Sequence, residues 1–255
     1  MRPWILLRGL MREQRHWGDF PHTLAAALNG AVVLPLDLPG NGSLHALRSP
    51  ACIAALSEHC RNQLQQRGIA PPYNLLALSL GGMVASDWAT RYSDEIEHAV
   101  LMNTSMRPFS PFYQRLRPRN YLALARAARH VEAREQLILR LTSNQAQPAD
   151  LLAQWCDYGR QWPVTSANTG RQLLAALRYR AAPQAPTAAL LVLAGAGDRL
   201  VDARCSLALA RHWRASWQLH PTAGHDLTLD AADWVVQQIR NWLDDESCKK
   251  AWSSK

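Results

Sequence analysis

Three residues whose types support nucleophilic catalysis stand at the ends of apolar runs. Ser79 follows Leu75–Leu78 in "LLALSLGG", Asp198 follows a run in "LAGAGDRLVD", and His225 lies in "LHPTAGHDLTLD". A serine hydroxyl is a weak nucleophile. It needs a base to take its proton and a third group to orient that base. His225 supplies an imidazole base and Asp198 a carboxylate to hold it. Asp202 is the nearest rival for the acid, and His212 and His220 compete with His225. His212 falls in a helical run beside Trp213 and His220 ends a strand, positions that suit structural roles. Met102-Asn103-Thr104, where a preceding strand ends, offers no carboxylate.

These side chains act together only if the chain brings strand ends to one edge. Around Ser79 a buried-strand pattern passes into a helical one, Met83, Val84 and Trp88, without a loop between them. Such a turn forces its central residue into a strained backbone conformation. The serine then projects from the carboxyl edge of a sheet, where ligands bind in open α/β folds. The helix beginning behind it offers free N–H groups and a positive dipole end. Close passage of helix and strand calls for small flanking residues, here Ala77 and Gly81.

The remaining pattern supplies such a sheet. "WILLRGL", "AVVLPLDLPGNG" and "HAVLMNTS" read as strands, with helices at "WGDFPHTLAAALN" and at "SPACIAALSEHCRNQLQQRG", which Gly68 would stop. Alternation of this kind predicts a parallel sheet with helices on both faces. From about Met106 it ceases. "NYLALARAARHVEAREQLILRLT", "PADLLAQWCDYGRQW" and "TGRQLLAALRYRAA" read as helices. It resumes with the strand "AALLVLAGAGD", a helix around "ARCSLALARHW", the strand "SWQLHP" and a final helix "DAADWVVQQIRNWL". The expected organisation is a core of residues 1–105 and 183–255 interrupted by a helical cap over 106–182.

In these features the chain resembles the α/β-hydrolase superfamily, in its capped esterase and lipase-like branch. The family's Gly-x-Ser-x-Gly stands here as Ala77-Leu78-Ser79-Leu80-Gly81, and its Asp-x-Pro-Gly-x-Gly turn as Asp37 to Gly42, "DLPGNG". The order Ser, Asp, His is that of the family. The resemblance implies a sheet of about six strands, lacking the family's first two. It implies a Ser79–His225–Asp198 triad and an oxyanion hole of the Leu10 and Leu80 backbone N–H groups. Arg8-Gly9 replaces the family's His-Gly. Arg8 either braces its loop or binds a substrate carboxylate, and bracing is the favoured expectation.

The function so implied is a serine hydrolase acting on a carboxylic ester or thioester. Neither metal nor cofactor is expected. Size, cap and arginine content resemble the pimeloyl-carrier-protein methyl ester esterases. The alternatives are a triad-using lyase of the menaquinone-pathway cyclohexadiene synthase type and a non-catalytic binding protein on the same fold.

The 255 residues carry a formal net charge of +8, mostly from arginine. Arg107, Arg115, Arg117, Arg119, Arg126, Arg129, Arg134 and Arg140 are opposed in their stretch only by Glu132 and Glu135. Arg119, Arg126 and Arg140 differ by multiples of seven, so one continuous helix would place them on one face with Arg129 nearby. That face is either solvated charge or a docking surface for an acidic acyl carrier protein. No nucleic-acid motif accompanies it. No segment reaches the ~20 apolar residues of a membrane span. The first run is too short for a signal peptide. Five scattered cysteines have no metal-ligand spacing, and a reducing cytoplasm is expected. Trp17, Trp155, Tyr158 and Trp162 are candidates for pocket walls or for core packing.

Overall fold

The computed structural model describes residues 2–128 and 130–253, with side chains to residue 246. Its framework is one sheet of six short strands: β1 (Trp4–Leu7), β2 (Val33–Leu36), β3 (Tyr73–Leu78), β4 (Ile96–Met102), β5 (Ala189–Gly195) and β6 (Ser216–His220). They run in the order β2-β1-β3-β4-β5-β6 and every adjacent pair is parallel. All carboxyl ends therefore share one edge.

Period-two alternation divides the apolar side chains between two cores. Ile5, Leu7, Leu75, Ala77, Ala99 and Leu101 face one way. Trp4, Leu6, Leu76, Leu78, Val100 and Met102 face the other. The helices are α1 (Phe20–Ala27), α2 (Ile53–Gln66), α3 (Leu80–Arg91), α4 (Phe112–Arg115), α5 (Tyr121–Ala127), α6 (Val131–Thr142), α7 (Leu151–Gln161), α8 (Ser166–Arg178), α9 (Arg204–Trp213), α10 (Leu227–Asp230) and α11 (Ala232–Ser253). α2, α3 and α9 cover the first face, and α1 and α11 the second. Gly68 ends α2 as expected: its φ of 68° is left-handed, and the Ile69 N–H returns to the Leu64 carbonyl.

Between β4 and β5 the chain builds α4 to α8, and the uninterrupted helix expected over Asn120–Thr142 is broken. α5 ends at Ala127 and α6 starts at Val131, with His130 extended at φ −120°, ψ 119°. Arg119 lies in a separate 3-10 turn, Pro118–Asn120. Arg119, Arg126 and Arg140 thus occupy three elements, and the shared helical face does not form. Arg129 lies outside the described residues. Two long-range contacts flank the break. Asn120 Nδ2 donates to the Arg199 carbonyl at the start of α5, and Glu135 of α6 must reach Arg12. A bend between the helices satisfies both.

Candidate active site

Ser79 sits between β3 and α3 at φ 57°, ψ −114°, a conformation seldom adopted by residues with a side chain. Its neighbours hold it there. The Ser79 N–H donates to the Met102 carbonyl at 2.9 Å, and Thr104 Oγ1 donates to the Ser79 carbonyl at 2.8 Å. The requirement for Gly81 is steric: a Cβ there would lie 2.4 Å from the Leu7 carbonyl oxygen. Likewise a Cβ on Gly9 would come within 3.2 Å of Ser79 Cβ. The loop after β1 therefore presses directly on the serine, with Leu10 beside it, while Leu80 opens α3.

Asp198 and His225 meet on the same sheet edge. Asp198 Oδ2 lies 2.6 Å from His225 Nδ1, and both side chains are buried. The other oxygen, Oδ1, accepts the N–H groups of Leu200 and Val201, each at 2.8 Å, which fixes the carboxylate. A carboxylate on Nδ1 selects the tautomer whose Nε2 carries a free lone pair. Asp202 is turned away to pair with Arg204, whose hydrogen bonds hold its carboxyl below the usual value. His212 rests on the Pro183 carbonyl, and His220 Nδ1 accepts the Ala223 N–H.

Ser79, His225, Leu10 and Arg8 line one cavity of about 510 Å³. Its far wall comes from the helices between β4 and β5, with Tyr121, Leu124, Ile138, Leu141 and Leu173. Trp17, Trp155, Tyr158 and Trp162 are not among its walls. They stack instead against guanidinium groups, Trp17 on Arg8, Trp155 on Arg12, and Tyr158 and Trp162 on Arg15.

Arg8 is a brace. Its two terminal nitrogens reach Asp226 Oδ1 at 3.2 Å and Oδ2 at 2.5 Å, and each side chain is 3% exposed. Burial pushes the Asp226 carboxyl up, but the Arg8 charge and hydrogen bonds override it and hold the group below its usual value. The loop after β1 is thereby locked to the residue following His225.

Three further residues shape the site. Asn103 accepts the Gly195 N–H and donates to the Gly224 and His225 carbonyls, tying the acid and histidine loops together. Gln172 of α8, wholly buried, accepts the Met11 N–H at 3.1 Å and donates to Asn41 at 2.7 Å. Met11 is left-handed at φ 59° and adjoins Leu10, so α8 positions that loop. Arg12 pairs with buried Glu135 of α6 and contacts His16. Burial, with Arg12 and Arg8 adding to it, holds the His16 imidazole well below its usual value, hence neutral. Sequence spacing signals none of these partners.

Among the described residues no cluster of three or more His, Cys, Asp or Glu could hold a metal, and no helix is long and apolar enough to cross a membrane.

A six-stranded parallel sheet with a serine elbow, an acid after β5 and a histidine after β6 defines a class. The model of the Alpha/beta hydrolase family matches residues 4–238, and the chain belongs to that family. Among solved structures it is similar to a thermophilic esterase from Thermogutta terrifontis: TM-score 0.74, 22% identity, 96% of this chain and 90% of that one. It is also similar to the enol-lactonase from Burkholderia xenovorans LB400, with TM-score 0.75, 23% identity and coverage of 96% and 92%. A third is the 2-hydroxy-6-oxo-6-phenylhexa-2,4-dienoate hydrolase of Rhodococcus sp. strain RHA1, with TM-score 0.74, 16% identity and coverage of 94% and 89%. At these identities the likeness is one of fold. No curated protein matches the chain.

Proposed function

We propose that this protein is a serine hydrolase that cleaves carboxylic esters of apolar acyl groups through an acyl-enzyme. The observation that carries this reading is the buried 2.6 Å contact of Asp198 with His225 beside the cavity that Ser79 also lines. His225 Nε2 takes the Ser79 proton as Oγ attacks the acyl carbonyl, and Asp198 stabilises the imidazolium that forms. The Leu10 and Leu80 N–H groups receive the developing oxyanion, and His225 returns the proton to the departing alkoxide. Water activated by His225 then releases the acid and restores Ser79.

In this reading residues 106–182 are a cap and 1–105 with 183–255 the core. The cap supplies the apolar wall and limits water at the reacting carbonyl. Cys52, Cys60, Cys156 and Cys205 are free thiols, which suits a reducing compartment such as the cytoplasm. Delivery of the acyl group by an acidic carrier protein, the finer form of the reading, would draw on exposed Arg119, Arg126 and Arg140. Their separation onto three elements favours the simple ester.

The test is a chain-length series of p-nitrophenyl esters with and without a serine-directed phosphonate. Each added methylene buried in the cavity contributes about 0.8 kcal/mol. That is about fourfold in kcat/KM per carbon until the cavity is full. Phosphonate-insensitive turnover, or a rate indifferent to chain length, removes the reading.

A further inference from the structure

We propose that the outer face of α4, α5 and α8 is an adsorption surface for an anionic phospholipid layer, which delivers the ester directly into the cavity mouth. Six large apolar side chains of these helices face solvent. Phe112 is 66% exposed, Leu122 60% and Leu177 57%, with Tyr113, Tyr121 and Leu173 beside them in exposure. Isolated exposed leucines are ordinary, but contiguous apolar surface on a monomer marks an interaction site.

The side chains belong to one neighbourhood. Arg115 of α4 donates to the Ala176 carbonyl of α8, next to Leu177. Leu173 and Leu177 are four residues apart and share a face of α8. Tyr121 Oη of α5 donates to the Leu116 carbonyl just after α4. Leu116, Tyr121 and Leu173 also line the cavity that holds Ser79. Leu116, Tyr121 and Leu173 thus connect the exposed neighbourhood to the cavity of the candidate nucleophile.

Charge selects the partner. From His98 to Val131, and again from Tyr158 to Gly197, the sequence has no aspartate or glutamate. α4, α5 and α8 therefore carry positive charge only. α6 and α7, which expose none of these apolar side chains, carry Glu132, Glu135 and Asp157. Arg107, Arg119, Arg126 and Arg178 are exposed and have no ion pair among the described residues. Phenylalanine and leucine flanked by uncompensated arginines match a phospholipid surface at both levels, phosphates for the guanidinium groups and the acyl layer for the apolar groups. An acidic protein would satisfy the arginines but leave Phe112 and Leu122 without an apolar counterpart.

Delivery rests on the ester-hydrolase reading, whereas adsorption does not, so binding and turnover are measured separately. Full-length Ser79→Ala protein is sedimented with vesicles of phosphatidylcholine alone and of phosphatidylcholine mixed with phosphatidylglycerol. Binding is expected only to the mixed vesicles, and to fall with added salt. Arg119→Glu/Arg126→Glu should weaken it about 25-fold or more, since each basic residue near the surface contributes about fivefold. Phe112→Asp/Leu122→Asp should abolish it. With Ser79 restored, both variants should hydrolyse a short water-soluble ester at the parental rate, which also shows that they fold. Absence of sedimentation with mixed vesicles overturns the proposal, as does sedimentation that survives both pairs of substitutions. Capture of an acidic acyl carrier protein in place of vesicles overturns it as well. Loss of ester hydrolysis in the parent, with vesicle binding intact, would instead remove the hydrolase reading alone.

Discussion

Arg8→Met removes the charge that holds the loop after β1 to the histidine loop while keeping most of the stem. Arg8 and Asp226 are each 3% exposed, and the pair is bidentate. Among the described residues, Thr228 Oγ1 at 3.0 Å is then the remaining side-chain donor to the carboxylate. Removing one partner of such a pair strands a buried charge and costs about 3–5 kcal/mol. At about 2–4 °C per kcal/mol for a chain of this size, the melting temperature should fall by about 6–20 °C. The sign of the pH dependence follows from Asp226. In the parent its folded pKa is depressed, so its contribution is present above the unfolded value of about 3.9 and is lost as pH falls through the folded value. Without Arg8, burial raises the folded pKa above that of the unfolded chain. The variant is then penalised at neutral pH, and the penalty shrinks as pH falls toward about 4. Urea unfolding between neutral pH and that limit measures both curves. Arg8→Met/Asp226→Asn should recover most of the loss, because no lone charge is left. A neutral-pH loss below about 1 kcal/mol, the range of an exposed pair, would refute the reasoning. A pH-independent loss, or no recovery in the double variant, would do so too.

Asp198→Asn should keep the fold and lower kcat by roughly 10⁴-fold, the effect of neutralising a triad aspartate. Asp202→Asn, which disturbs the pairing with Arg204 and Arg117, should change kcat less than about threefold, well inside the range of a surface ion pair. If Asp202→Asn has the larger effect, the acid has been misassigned. Gln172→Leu removes the acceptor of the Met11 N–H and frees the loop carrying Leu10. Because small displacements at a reacting centre cost up to about 10²-fold, kcat should drop by about tenfold or more with KM nearly unchanged. A purely raised KM with kcat unchanged would contradict positioning through this contact.

Local pattern made legible the sheet edge that carries Ser79, Asp198 and His225, and distance hid the contacts that support it. Apolar runs of strand length, the absence of a loop around Ser79 and the small residues Ala77 and Gly81 all follow from short-range sterics. The order of Ser79, Asp198 and His225 was readable because each follows a strand of one parallel sheet. The partners that hold them in place come from far along the chain. Asp226 meets Arg8 across 218 positions, and Gln172 meets Met11 across 161. Nothing in composition or periodicity marks such pairs. The break between α5 and α6 was hidden for another reason. Ala127 and Ala128 favour helix, whereas the contacts that accompany the bend, Asn120 with Arg199 and Glu135 with Arg12, join residues far apart in the chain.

The proposed chemistry requires Ser79 as the nucleophile. The direct measurement is the mass of the peptides of the protein inactivated by a fluorophosphonate. One adduct on the peptide bearing Ser79, rising in step with the loss of ester hydrolysis, is the predicted result. Ser79→Ala, with an unchanged circular dichroism spectrum, should take up no label. An adduct on another residue, or equal labelling of Ser79→Ala, would contradict the account.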